Sequence, residues 1–255
     1  MFIDTHCHLT DDKIKDRVAE TVKDYLYANV SRVIDTGCSV QTSLCARGNS
    51  LKFESVFFAA GVHPSDSDGF GESELKEIEK LLSEQKCVAL GEIGLDYYWK
   101  PYNESAQKKC FVNQLDLAVK TKMPVVLHVR DAYKDAADIL KSYCGKVTGV
   151  MHCYSGSKEM AKIFSDYGMY FSFGGTSTYK NAKNVREVID YLPSDLLLTE
   201  TDSPYLAPEG LRGTVNEPKN IPIIAENLAK IKGYTTESFA EIVMNNAKRL
   251  FSKLK

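Results

Sequence analysis

The sequence predicts an α/β fold, a (β/α)8 TIM barrel, from three observations. Eight short apolar runs alternate with longer amphipathic stretches, the pattern of repeated βα units with a parallel sheet. No glycine fingerprint follows the first run, where His6-Cys7-His8 stands instead, which argues against an open dinucleotide-binding sheet. Histidines and carboxylates recur at the C-terminal ends of the runs, the edge on which such a barrel builds its active site.

The predicted strands are residues 2–6, 32–36, 56–61, 88–92, 124–128, 148–152, 169–173 and 196–201. They are β-branched, apolar and nearly non-alternating, as strands covered on both faces must be. Between them lie helical patterns. In 104–121, Phe111, Leu115 and Ala118 recur at helical spacing, and 158–167 and 184–191 repeat the pattern more weakly. A Pro/Gly-rich loop spans 203–218, and two helices ending near Leu250 follow it. At 255 residues, with no linker-like tract, the chain is expected to be one barrel domain over 1–255.

The hydrophobic fraction of 44% and the charged fraction of 26% suit a soluble globular protein. A formal net charge of −2 provides no global attraction to nucleic acid or an anionic membrane, so positive charge for a polyanionic substrate must be local. Seven cysteines without a Cys-x-x-Cys pair point to buried reduced thiols rather than disulfides or a zinc knuckle. Without a basic-then-apolar leader or an apolar run of the ~20 residues that span a bilayer, a cytoplasmic location and no membrane partner are expected. No feature indicates an obligate protein partner.

All five histidines, His6, His8, His63, His128 and His152, fall at or just beyond a predicted strand end. His6 and His8 are two apart on a strand, so both point to one face with Cα atoms roughly 6.6 Å apart. Two imidazoles so aimed can share one metal ion. Cys7 then points outward. His128 and His152 close consecutive strands and form a second pair. Glu92 lies between the pairs in barrel order, and its two oxygens can bridge cations about 3.5–4 Å apart. Asp202 can both ligate a cation and accept a proton from water, the work of a general base. Glu200, two residues earlier, faces the same way and is read as orienting a ligand imidazole, with direct ligation the alternative. His63, in Gly61-Val62-His63-Pro64, is placed to contact substrate or supply a proton to the leaving group, or else is a loop histidine held beside Pro64. Tyr97, Tyr98 and Trp99 offer either a base-stacking surface or aromatic packing under a loop.

In this order the segments resemble the TatD family of metal-dependent hydrolases, within the amidohydrolase-like superfamily. The match runs from Phe2-Ile3-Asp4-Thr5-His6-Cys7-His8 through Ala60-Gly61-Val62-His63-Pro64 and Gly91-Glu92-Ile93-Gly94-Leu95-Asp96. It continues through His128-Val129-Arg130-Asp131-Ala132 and His152-Cys153-Tyr154-Ser155-Gly156 to Glu200-Thr201-Asp202-Ser203-Pro204. The resemblance implies two divalent cations (zinc, magnesium or manganese), one held by His6, His8, Glu92 and Asp202, the other by Glu92, His128 and His152. It implies hydrolysis of DNA ends or another phosphodiester through a metal-activated water, with Asp202, Glu92 and His63 catalytic. His63, Arg130 and Glu200 are the candidate substrate-binding residues. A D-aminoacyl-tRNA deacylase or a small-molecule amidohydrolase on the same metals is the alternative. The chain departs from the family pattern at Thr214-Val215, where basic residues often precede the Asn216-Glu217-Pro218 segment.

Overall fold

The computed structural model describes residues 1–254. Eight parallel strands form one sheet in the order β1 to β8. They are β1 Phe2–Cys7, β2 Val30–Thr36, β3 Val56–Ala60, β4 Cys87–Asp96, β5 Val125–Arg130, β6 Gly149–Met151, β7 Met169–Phe173 and β8 Leu197–Thr199. Helices α1 Val18–Tyr27, α2 Val40–Lys52, α3 Glu72–Leu82, α4 Glu104–Thr121, α5 Tyr133–Leu140, α6 Lys158–Asp166 and α7 Lys183–Tyr191 separate the strands, and α8 Ile221–Lys232 and α9 Thr236–Leu250 follow them. The sheet curls into a nearly closed barrel. At the seam, Thr5 Oγ1 donates to the Thr199 carbonyl and Thr199 Oγ1 to the Ile3 carbonyl, each at 2.9 Å. Two β-branched side chains thus bridge strands β1 and β8 where the backbone ladder gives out.

All eight expected strands are present, but their ends differ for local reasons. β5 starts at Val125 because Pro124 has no N–H to donate. β4 runs four residues past Glu92, to Asp96. It does so because Gly94, at φ +146°, lets the strand lie against β5, where an added Cβ would stand 1.9 Å from the His128 carbonyl oxygen. β6 and β8 stop early, at Met151 and Thr199. Cys153 and Asp202 then turn left-handed, at φ +45° and +54°, and carry the chain off the barrel rim.

The helices start where the sequence supplies caps. Ser39, Asn103, Ser157 and Thr235 accept from backbone N–H groups in the first turns of α2, α4, α6 and α9. Apolar strand residues and the inner helix faces share one buried core, with Phe58, Phe111, Phe164, Phe171 and Phe239 among its largest fully buried side chains. Burial of this kind supplies most of the drive to fold, at roughly 25 cal/mol per Å² of apolar surface. None of the seven cysteines is in a disulfide. The expectation that the thiols are buried is met by Cys7, Cys87 and Cys110, whereas Cys45 and Cys144 are exposed. Among the described residues, no helix is long and apolar enough to cross a membrane.

Candidate metal centre

All five histidines meet at the C-terminal rim, around a cavity of about 500 Å³ that His8, His63, His128, His152, Glu92 and Asp202 help to line. The period-two geometry of β1 brings the Nε2 atoms of His6 and His8 within 3.1 Å of each other. The left-handed turn at Asp202 swings its carboxylate over that pair, with Oδ1 3.7 Å from His6 Nε2 and 3.3 Å from His8 Nε2. Left-handed backbone at a non-glycine residue costs about 1–2 kcal/mol, so the packing around Asp202 must hold it there. The fully buried Asp4 does part of this. Its carboxylate accepts from the His6 N–H at 3.2 Å and the Thr201 N–H at 2.9 Å, and the Asp202 N–H donates to the His6 carbonyl at 3.0 Å. Burial pushes the Asp4 carboxyl up to about 8.

Glu92 stands at the centre of the cluster, and its two oxygens face different partners. Oε2 is 3.6 Å from His6 Nε2 and 3.8 Å from His8 Nε2. Oε1 is 2.8 Å from both His128 Nδ1 and His152 Nε2. Burial alone would favour the neutral acid, but the surrounding imidazoles outweigh it and hold Glu92 well below the usual carboxylate range. A buried, ionised carboxylate with imidazole nitrogens on both sides is a donor set that cations fit. The ligand-type atoms gather into three-residue groups: His6 with His152 and Asp202, His6 with His8 and Glu92, and His63 with Glu92 and His128.

The far nitrogen of each ring shows which nitrogen is free to ligate. His8 Nδ1 lies 2.9 Å from the Thr36 carbonyl, which can only accept, so Nδ1 carries the proton and Nε2 presents its lone pair to the cluster. His128 Nε2 lies 2.9 Å from Asp96 Oδ2, which leaves Nδ1 for the Glu92 side. His152 Nδ1 faces Glu200 Oε1 at 3.5 Å, and neither atom makes a hydrogen bond, while the other Glu200 oxygen accepts from Ser172. Glu200 is fully buried and is not among the residues that line the cavity. His63 is reversed. Its Nδ1 accepts from the Ser65 backbone N–H at 3.1 Å, so in the neutral ring the proton sits on Nε2, which faces Glu92 at 3.9 Å. A nitrogen that carries a proton has no lone pair for a cation. Burial pushes the His63 imidazolium down to about 4, so the ring is neutral near pH 7.

Three residues near the centre carry no role in the sequence reading. Asp4 and Asp96 are signalled by strand parity, two residues from His6 and four from Glu92 and so on the same faces. Cys38, whose Sγ lies 3.7 Å from Glu92 Oε2, follows β2 in a loop with no local signal. Arg130 and Trp99 also line the cavity. A larger cavity, about 1140 Å³, opens at the opposite end of the barrel, where Arg32, Lys52, Lys86 and Lys253 lie. It contains none of the histidines.

A family model described as TatD related DNase matches residues 3–252. The chain belongs to the TatD family. YabD of Bacillus subtilis, an uncharacterized metal-dependent hydrolase, is 38% identical over 98% of this chain and 99% of its own length. YcfH of Escherichia coli, also described as an uncharacterized metal-dependent hydrolase, is 36% identical over 98% and 95%. Among solved structures, YJJV, a TatD homolog from Escherichia coli K12, superposes with a TM-score of 0.93 at 29% identity, covering 98% of both chains. This TatD-family protein is therefore a metal-dependent hydrolase on a TIM barrel, as its sequence motifs imply.

Proposed function

We propose that this TatD-family hydrolase is a phosphodiesterase acting on DNA ends, in which the histidines and carboxylates around Glu92 would hold two divalent cations. The observation that carries the reading is the division of the Glu92 carboxylate, Oε2 toward His6 and His8 and Oε1 toward His128 and His152. In this assignment His6, His8, Glu92 and Asp202 hold one cation, and Glu92, His128 and His152 the other. Bound there, the pair supplies a nucleophilic water at neutral pH and charge to stabilise the phosphoryl oxygens in the transition state. The imidazole-rich donor set suits zinc better than magnesium, which prefers oxygen ligands.

The chain's own groups do the rest. Asp202 is the general base that takes a proton from the attacking water. His63 presents an Nε2–H to the cavity and donates a hydrogen bond to the departing oxygen, stabilising the charge that develops there, with Ser65 holding the ring in that tautomer. Thr36 and Asp96 keep the His8 and His128 rings aimed, and Glu200 faces the His152 ring from its far side.

The test is cleavage of an end-labelled single-stranded oligonucleotide by protein shown to hold metal, with magnesium, manganese or zinc added. Progressive shortening is expected, and no turnover with any of the three defeats the nuclease reading. Carboxyl-ester and amide substrates on the same preparation separate it from the aminoacyl-ester deacylase and amidohydrolase alternatives.

A further inference from the structure

Beside the metal centre stands a cation that no ion pair among the described residues explains. Arg130 is two residues beyond His128 on β5, so both side chains point to the same side of the strand, with Cα atoms about 6.6 Å apart. Its guanidinium carbon lies over the ring of Tyr98, 3.6 Å from the centroid, and 5.4 Å from the centroid of Trp99. The carboxylates of the cavity, Glu92, Asp96 and Asp202, pair with imidazoles and not with Arg130. A guanidinium held over an aromatic ring keeps N–H groups free and has already lost much of its rotamer freedom. That arrangement suits bidentate capture of a phosphate.

Trp99 is 65% exposed yet lines the same cavity. Across the mouth stand Tyr205 and Leu206, 45% and 37% exposed. Tyr97 behaves differently. It stacks on Tyr102 with centroids 5.0 Å apart and donates to Asp135, so its ring is used in packing. The three consecutive aromatics therefore divide their work. Tyr97 supports the loop, Tyr98 carries the arginine, and Trp99 leaves an open aromatic face beside a free cation and a metal centre.

We propose that Arg130, Tyr98 and Trp99 form a nucleotide subsite, in which the guanidinium grips the phosphate next to the one cleaved and the Trp99 indole stacks on the adjoining base. The subsite rests on the phosphodiesterase reading for its meaning and adds a substrate form to it. A base reaches Trp99 only when it is unstacked from its neighbours, so the favoured strand is single or frayed. Stacking tolerates any base, so little sequence preference is expected.

Trp99 is the only tryptophan of the chain, so its emission reports on the subsite directly. Full-length protein is titrated with a short single-stranded DNA, the same strand carrying abasic sites, and inorganic phosphate. The DNA is expected to quench the emission to saturation. The abasic strand should leave it nearly unquenched and bind about ten-fold or more weakly, as loss of base–aromatic stacking does. Arg130→Gln should keep the quench, move its midpoint to higher DNA concentration and flatten the salt dependence by about one phosphate contact. An abasic strand that binds as tightly as the DNA, or an Arg130→Gln midpoint equal to the wild type, overturns the subsite. Cleavage assayed in the same samples separates the two claims. Quench without cleavage leaves the subsite standing and removes the phosphodiesterase reading, whereas cleavage without quench does the reverse.

Discussion

Asp96 accepts a hydrogen bond from His128 Nε2 at 2.9 Å, on the side of the ring away from Glu92. The bond fixes the orientation of the His128 ring, so that Nδ1 is the nitrogen turned toward the centre. Burial opposes ionisation of Asp96, but His128 and the Tyr98 N–H outweigh it and keep the carboxyl below its ordinary range. Asp96→Ala should therefore weaken binding of the cation on the His128 side by about 10–100-fold, the usual effect of losing such a partner. Calorimetric titration of metal into the variant measures this, and an unchanged affinity would remove Asp96 from the account.

Gly94→Ala tests the same wall without touching a donor atom. Its Cβ would sit 1.9 Å from the His128 carbonyl oxygen, at a φ that side chains rarely adopt. We expect a loss of about 1–3 kcal/mol in denaturant unfolding, together with weaker metal retention. Wild-type stability would show that β4 and β5 can separate there at no penalty.

His63→Ala should separate substrate chemistry from metal binding. The tautomer set by Ser65 makes His63 a donor and not a ligand, so metal content is expected to stay at the wild-type value while kcat falls by about 100-fold or more. Loss of a cation from the purified variant would instead place His63 among the ligands.

Asp35 governs a stability effect away from the centre. Burial pushes its carboxyl up to about 6, although the Leu9 N–H and Asn49 both donate to it at 2.8 Å. A carboxyl with a raised folded pKa holds its proton more tightly folded than unfolded. Its contribution is therefore complete below about 4 and is lost as pH rises through about 6. Relative to Asp35→Asn, the wild type should lose about 3 kcal/mol between those limits and change little above them. Parallel unfolding curves at pH 4 to 7 check this, and a constant difference across the range refutes it.

Much of this was legible because the candidate ligands obey strand arithmetic. His6 and His8 are readable as a pair, and His128, His152 and Glu92 each stand at or next to the end of an apolar run. Asp96 was hidden by the expectation that β4 ends at Glu92; the strand continues only because Gly94 tolerates its backbone angle and close contact. The place of Glu200 depended on depth, which parity does not specify, and it is buried outside the cavity lining. Arg130 and Tyr98 come together through the register of β4 and β5, which pairs Asp96 with Arg130, and through a turn beyond the strand end. Neither is visible in local spacing.

Locating the cations decides the central claim most directly. A crystal of the manganese- or zinc-loaded protein, measured at the metal absorption edge, should show two anomalous peaks about 3.5–4 Å apart, one on each side of the Glu92 carboxylate. A single peak, or peaks not shared through Glu92, would contradict it.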